Sequence, residues 1–310
     1  MIQRFRWLSD GVLLSIAAIW GMTFVLVQDA IATLPPFSFL AIRFSVAVLL
    51  LLPFLRSQPH TSNTSAEYRS ARMWIGGIVI GSFLFMGYAL QTFSLLYTTS
   101  GKSGFLTGLS VTLVPLLSWL VLRSRPTRTA LIGVGCATVG LYLLAFVDIR
   151  SINPGDILAF LCAIGFGLQI VYTGKFSTGT SASQIAILQL ATVAILSTIA
   201  ALFFEPWQHI IQSGMMLQPN IIIALVVTAV FATAIAYLAQ THIQKYTTPT
   251  RVALIFASEP VFAALADYLW HGIALGPRAL IGCLLILGGT LLTELPLAKL
   301  TLRQHNKDSR

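Results

Sequence analysis

Seven stretches of this chain run for at least 18 residues without a single Asp, Glu, Lys or Arg: Gly11–Gln28, Met73–Gly101, Ser103–Leu122, Thr129–Val147, Ile157–Gly174, Phe176–Phe204 and Pro206–Gln244. A helix needs about 20 apolar residues to cross the hydrocarbon core of a bilayer, so each run has the length of a span. Lipid offers no hydrogen bonds to the backbone, and apolar runs that lack period-two alternation can satisfy their own amides only as helices. A soluble globule is excluded independently: 56% apolar and 9% charged residues leave too little polar surface to cover 310 residues. The expected class is an all-α membrane protein. Ten transmembrane helices are expected near residues 10–29, 36–55, 73–96, 103–122, 129–147, 155–174, 183–204, 220–241, 251–270 and 277–294. The Ser57–Ser70 stretch, rich in Ser, Thr and Asn, reads as a solvated loop between the second and third of them.

The net charge of +9 reflects topology, because the basic residues sit at the ends of apolar runs and form no nucleic-acid surface. With ten spans, fifteen of the nineteen Lys and Arg fall on one side, among them Arg69, Arg72, Arg123, Arg125, Arg128, Lys175, Lys245 and Arg251. Only Lys102, Arg150 and Arg278 fall on the other, and Arg43 lies within a span. The positive-inside rule then places both termini in the cytoplasm. The basic start of the first run has no small-residue cleavage motif after it and reads as a retained helix, not a leader.

The chain also repeats itself. Tyr88–Thr99 aligns with Tyr237–Thr248 at an offset of 149, with six identities in twelve positions. Asp10 aligns with Asp156, and Arg43 with Gln189, at 146; Gly133 and Gly140 align with Gly282 and Gly289 at 149; Pro115 aligns with Pro260 at 145. The expected units are repeat 1 over 10–147 and repeat 2 over 153–294, of five helices each. Five is odd, so the second unit must enter the membrane from the opposite side. Two inverted five-helix repeats around a central cavity are the usual construction of secondary transporters, whose equivalent halves can open a midplane site to either side in turn.

Charges within spans cost about 2.5–3.5 kcal/mol each on insertion scales, so those that remain face protein or water. Arg43 and Glu259 lie near mid-depth of the second and ninth helices, with Asp267 on the face of Glu259. Either they serve a solute or a proton, Arg43 holding a carboxylate or anion and Glu259 titrating or meeting a cation, or a structural Arg43–Glu259 or Arg43-to-carbonyl pairing merely satisfies both charges. Trp20, Tyr88, Gln91, Tyr237 and Gln240 join flat apolar faces to hydrogen-bonding tips, which suits a cavity for amphipathic solutes. The spacing of Tyr88 and Gln91 on one helix face recurs in Tyr237 and Gln240. Pro115 and Pro260 each remove a helical hydrogen bond at mid-span, either as packing kinks or as gating breaks. Cys136, Cys162 and Cys283 read as small packing residues.

Signals for other chemistry fail. Gly101-Lys-Ser103 ends like a phosphate loop, but Leu96 stands where its first glycine belongs. His60, His209, His242, His271 and His305 are scattered, and no HExxH or GxSxG occurs. No metal, cofactor, nucleic-acid partner or enzymatic activity is expected; the partners are the bilayer, a small-molecule solute and protons.

Taken in order, Ala18–Gly21, Phe39–Arg43, Tyr97–Thr99 with Phe105–Ser110 and Pro115, Tyr246–Pro249 with Ser258–Phe262, and the Gly-spaced fifth and tenth helices resemble the drug/metabolite transporter superfamily, in its bacterial EamA-like branch. The resemblance runs the length of the chain and implies a permease for small metabolites such as amino acids, drugs or related solutes. The Leu-Gly-Glu that often closes helix 9 in that family is replaced here by Tyr268–Gly272. The expected function is non-ATP-driven secondary transport by alternating access. The alternatives are an intramembrane lipid-modifying transferase, and a facilitative channel or exchanger without proton coupling.

Overall fold

The computed structural model describes residues 2–57, 66–98, 100–145, 153–178, 180–272 and 275–292, and among them the fold is helical, without strands. In chain order the helices are α1 (Ile2–Ile31), α2 (Pro36–Leu51), α3 (Ala66–Ser94), α4 (Ser100–Gly108), α5 (Ser110–Leu122), α6 (Arg128–Ala145), α7 (Pro154–Ser177), α8 (Ala182–Phe204), α9 (Trp207–Gln212), α10 (Pro219–Ala229), α11 (Ala236–Ile243), α12 (Pro249–Phe256), α13 (Glu259–His271) and α14 (Pro277–Leu292). Eight helical segments are long and apolar enough to cross a membrane. Arg128–Leu144 and Pro277–Leu292 are apolar helices of fewer than 18 residues. Of the expected Ser57–Ser70 loop, 58–65 lies outside the described residues, and helix resumes earlier than expected, at Ala66. The expected ends of the fifth and tenth helices, at 147 and 294, also lie outside them.

The bundle is apolar on its outside and polar at its centre, the reverse of a soluble fold. Phe203, Phe204, Leu120 and Leu284 are exposed, whereas Gln189, Gln240, Thr233 and Thr241 are fully buried. Trp20 packs against both of the buried apolar clusters, one built mainly on α1, α2 and α8 and the other on α1, α6 and α12.

Small residues set the closest approaches, as expected where helices must associate by packing alone. A methyl group on Gly140 would lie 2.6 Å from the Gly282 carbonyl oxygen, and one on Gly289 2.7 Å from the Gly133 carbonyl oxygen. The early part of α6 therefore meets the late part of α14 and vice versa, so the two run antiparallel. These four glycines are the ones the sequence repeat pairs: 133 meets the equivalent of 140, and 140 the equivalent of 133. Such reciprocity is what a twofold relation between the halves would produce. At one end of α2, the Glu205 carboxylate that follows α8 accepts from the Phe37 and Ser38 amides at 2.7 and 2.8 Å. It thereby satisfies donors that the Pro35 N-cap cannot.

Two helices expected as single spans are broken. The first breaks at Leu109, whose amide is shared between the Phe105 and Leu106 carbonyls, and the second at Ala257–Ser258. Leu109 and Ser258 are 149 apart, the offset of the repeat. The prolines are not equivalent about these breaks. Pro115 is carried inside α5, while Pro260 sits in the first turn of α13, where a missing amide is tolerated. Lining up the two prolines at 145 thus corresponds to no structural equivalence; the breaks themselves do.

Candidate functional site

The breaks flank a central cavity. Its wall includes Gly104, Thr107, Gly108 and Ser110 around the first break and Phe256, Ala257, Glu259 and Pro260 around the second. The space that water can enter there is about 80 Å³.

At its centre, the Tyr237 hydroxyl donates to the Tyr88 hydroxyl at 3.0 Å, across the repeat offset of 149. Each side chain comes from the same position of its own repeat, so this pair lies where a pseudo-twofold axis would pass. Tyr88 is held edge-on by Phe44 and Phe166, with ring centroids at 5.1 and 5.2 Å. Its hydroxyl also accepts from Arg43 Nη2 at 3.4 Å. Having accepted twice, the Tyr88 O–H keeps its own proton to donate, and no acceptor for it is found among the described residues.

Arg43 is 3% exposed. Its Nε donates to Thr233 Oγ1 at 2.7 Å, and its guanidinium lies 4.8 Å from the Tyr88 ring centroid and 5.5 Å from that of Phe44. Aromatic faces stabilise a desolvated cation. Nη1 has no protein partner among the described residues, and Arg43 lines the cavity. Thr233 belongs to a π-helical segment, Val230–Ile235, inserted between α10 and α11. The same segment supplies the Ala232 carbonyl that accepts the Trp20 indole N–H at 2.8 Å. Trp20 then stands against Tyr237 and Phe256, with centroids at 5.5 and 4.8 Å. A π insertion displaces the backbone register by one residue and recurs at functional sites. Here it aims two groups at two cavity-lining side chains.

Glu259 opens α13 and also lines the cavity. Gly21 permits this approach, because any Cβ there would strike the Glu259 carbonyl and the Ala263 amide. Among the described residues the Glu259 carboxylate has no hydrogen bond, and Arg43 and Glu259 form no ion pair with each other. The Arg43–Glu259 pairing left open by the sequence is therefore absent, and Arg43 is held instead by Thr233, the Tyr88 hydroxyl and two aromatic rings. The Asp267 side chain lies outside the described part of the structure.

The remaining expected residues divide. Gln91 lines the cavity, and its side chain has no protein partner among the described residues. Gln240 does not line it. Its Nε2 donates to Gln169 Oε1 at 3.3 Å and Gln244 Oε1 at 3.1 Å, within a buried lattice where Gln169 donates to Gln189 and Gln189 to Thr241. Pro260 lines the cavity and Pro115 does not. Thr233, Ala232 and Gln169 were not singled out from sequence. Gln169 was legible as an amide within a charge-free run; the π segment leaves no mark in residue types.

With this geometry in place, comparison with known proteins is informative. The model of the EamA-like transporter family matches twice, over residues 7–146 and 153–295. An uncharacterized transporter of Archaeoglobus fulgidus is 33% identical over 290 residues, covering 94% of this chain and 87% of that relative. The uncharacterized transporter YoaV of Bacillus subtilis is 22% identical over 166 residues, covering 52% of this chain and 55% of its own. A solved crystal structure superposes with a TM-score of 0.72 at 20% identity, covering 94% of this chain and 98% of that one, and at this identity it shows likeness of fold alone. The chain belongs to the EamA-like transporter family and is a multi-pass membrane transporter.

Proposed function

We propose that the chain is a secondary carrier that moves small organic solutes by alternating access at the cavity between its two halves, without ATP. Ten transmembrane helices form two inverted five-helix repeats, 10–147 and 153–294, with α4–α5, α10–α11 and α12–α13 each acting as one broken or distorted span. The reciprocal glycine contacts of α6 and α14 support the inversion. So does the meeting of Tyr88 with Tyr237, because an axis perpendicular to antiparallel helices lies in the membrane plane.

The observation that carries the reading is the pair of opposite charges, Arg43 and Glu259, lining one cavity without pairing with each other, each with capacity left unused by the described residues. Solutes with a carboxylate or other anionic group bind Arg43, the Tyr88 hydroxyl and Gln91; amino acids, drugs and related metabolites fit such a wall. Glu259 meets a cationic group or carries the coupling proton. The membrane is the bacterial cytoplasmic one, with both termini inside, as the charge distribution supports.

Purified protein in ATP-free proteoliposomes, offered a panel of labelled amino acids and cationic drugs, is expected to give saturable counterflow. Glu259→Gln is expected to keep counterflow and lose dependence on a pH gradient. Flux that does not saturate would mark a channel, and solute turnover without flux an enzyme. Gradient dependence that survives Glu259→Gln would remove the coupling role.

A further inference from the structure

Two ion pairs stand at the ends of the broken helices. Arg251, in the first turn of α12, grips Asp10 of α1 in a fork: Nη2 donates to Oδ2, and Nε to Oδ1 at 3.0 Å. Lys102, in the first turn of α4, pairs with Asp156 at the start of α7, where Thr98 Oγ1 also donates to the carboxylate at 3.0 Å. All four side chains are largely buried, with exposures of 11% and 16% in the first pair and 16% and 7% in the second.

The pairs are copies of each other. Asp10 and Asp156 are related by 146, and Lys102 and Arg251 by 149, the offsets of the repeat at those helices. Each bond joins a cation of one half to the acid of the other half, so the second is the first seen from the opposite half. They also lie at opposite ends of the bundle. α4 packs beside α13, and α12 beside α5. The two broken helices therefore run antiparallel, with their N-terminal turns facing opposite ways.

Each cation rides on a short segment, nine residues in α4 and eight in α12, joined to the rest of its helix at the cavity wall by a tightened turn, where the Leu109 amide is shared between the Phe105 and Leu106 carbonyls and the Ser258 amide donates to the Ile255 carbonyl. A half-helix jointed at the cavity and fastened at its far end to the other half has the construction of a lid. The geometry points to Lys102–Asp156 and Arg251–Asp10 as the paired latches of the transport cycle: releasing Lys102–Asp156 opens the cavity at that end through α4, releasing Arg251–Asp10 opens the other through α12, and the intact latch keeps its own end shut. Both are engaged in this structure. Because the pairs are equivalent, opening either end breaks the same kind of bond, which keeps the two open states near in free energy, as a two-way exchange requires.

This inference rests on the carrier reading, but its test reads accessibility and not transport, so the two can fail separately. In a background with the three cysteines replaced, a reporter Gln91→Cys is labelled by a membrane-impermeant thiol reagent from each face of oriented vesicles. Lys102→Gln is expected to raise the labelling rate from the Lys102 face about tenfold and to lower it from the other, and Arg251→Gln to do the reverse. Both variants spare the carboxylate of Asp156 that caps α7. Lys102→Arg and Arg251→Lys keep the charge and are expected to leave the ratio of the two rates within about twofold, which separates loss of the latch from general loosening. Rates that change equally from both faces, or that do not change, would overturn the proposal. If Lys102→Gln fails to fold, the opposite bias in Arg251→Gln alone decides it.

Discussion

The two halves use one scaffold for different ends. In the first, Arg43, Tyr88 and Gln91 line the cavity and hold hydrogen-bonding capacity that the protein leaves unspent. In the second, the equivalents Gln189 and Gln240 are fully buried and are bridged by Gln169, while Gln189 also donates to Thr241 and Gln240 to Gln244. Tyr88 and Tyr237 sit between, sharing one bond. The frame is repeated, but the exchange of a single charge for an amide, Arg43 against Gln189, leaves a cavity-lining cation in the first half and a self-bonded amide lattice in the second, whose Gln169 and Glu259 also line the cavity. Buried amide lattices are stable only when nearly complete, which the second half achieves apart from Gln240 Oε1.

The sharpest way to break this comparison is to make the first half like the second. Arg43→Gln removes a charge-assisted bond to the solute, worth about 1.5–3 kcal/mol, so kcat/KM for counterflow of anionic or zwitterionic solutes is expected to fall about 100-fold. A loss no greater for these than for neutral solutes would contradict the role. The symmetric frame is tested next by Gly140→Ala and Gly282→Ala. Each places a methyl group against backbone of the other half, so each is expected to lower stability in detergent by about 1–3 kcal/mol and to a similar extent. A large effect at one site and none at the other would break the reciprocity.

Gln91→Leu and Gln240→Leu should then separate by readout. Gln91→Leu is expected to raise KM about 3- to 10-fold with little change in Tm. Gln240→Leu strips Gln169 and Gln244 of a donor and is expected to cost about 1–3 kcal/mol of stability at nearly unchanged KM. The smallest effect expected is in the tyrosines. Tyr88→Phe removes the hydroxyl free to donate and should lower kcat/KM about fivefold, against about twofold or less for Tyr237→Phe.

Much of this frame was legible in the residues. Charge-free runs located the helices, because a buried backbone in lipid has one local solution, and the offset of 149 brought Tyr88 and Tyr237 together. Mid-span charge marked Arg43 and Glu259, since an ion at that depth must face the interior. What stayed hidden depends on the third dimension. Gln91 and Gln240 occupy matching positions, yet one meets open space and the other a glutamine of α7, and nothing in either helix alone decides between them. The breaks at Leu109 and Ser258 were misread through Pro115 and Pro260. Pro260 lies two residues after its break but Pro115 six after its own, so a proline does not fix the place of a break. The π insertion that aims Thr233 at Arg43 shifts register without any distinctive residue.

The central claim is that the transported solute sits between the halves on the Arg43 wall. Its most direct test is solute protection of single cysteines, Gln91→Cys against Gln240→Cys, labelled with a small thiol reagent in a background lacking the native three. A transported solute is expected to shield Gln91→Cys with a half-maximal concentration equal to the KM for counterflow, and to leave Gln240→Cys unaffected. Saturating counterflow with Gln91→Cys still labelled at its full rate would place the solute elsewhere and contradict the account.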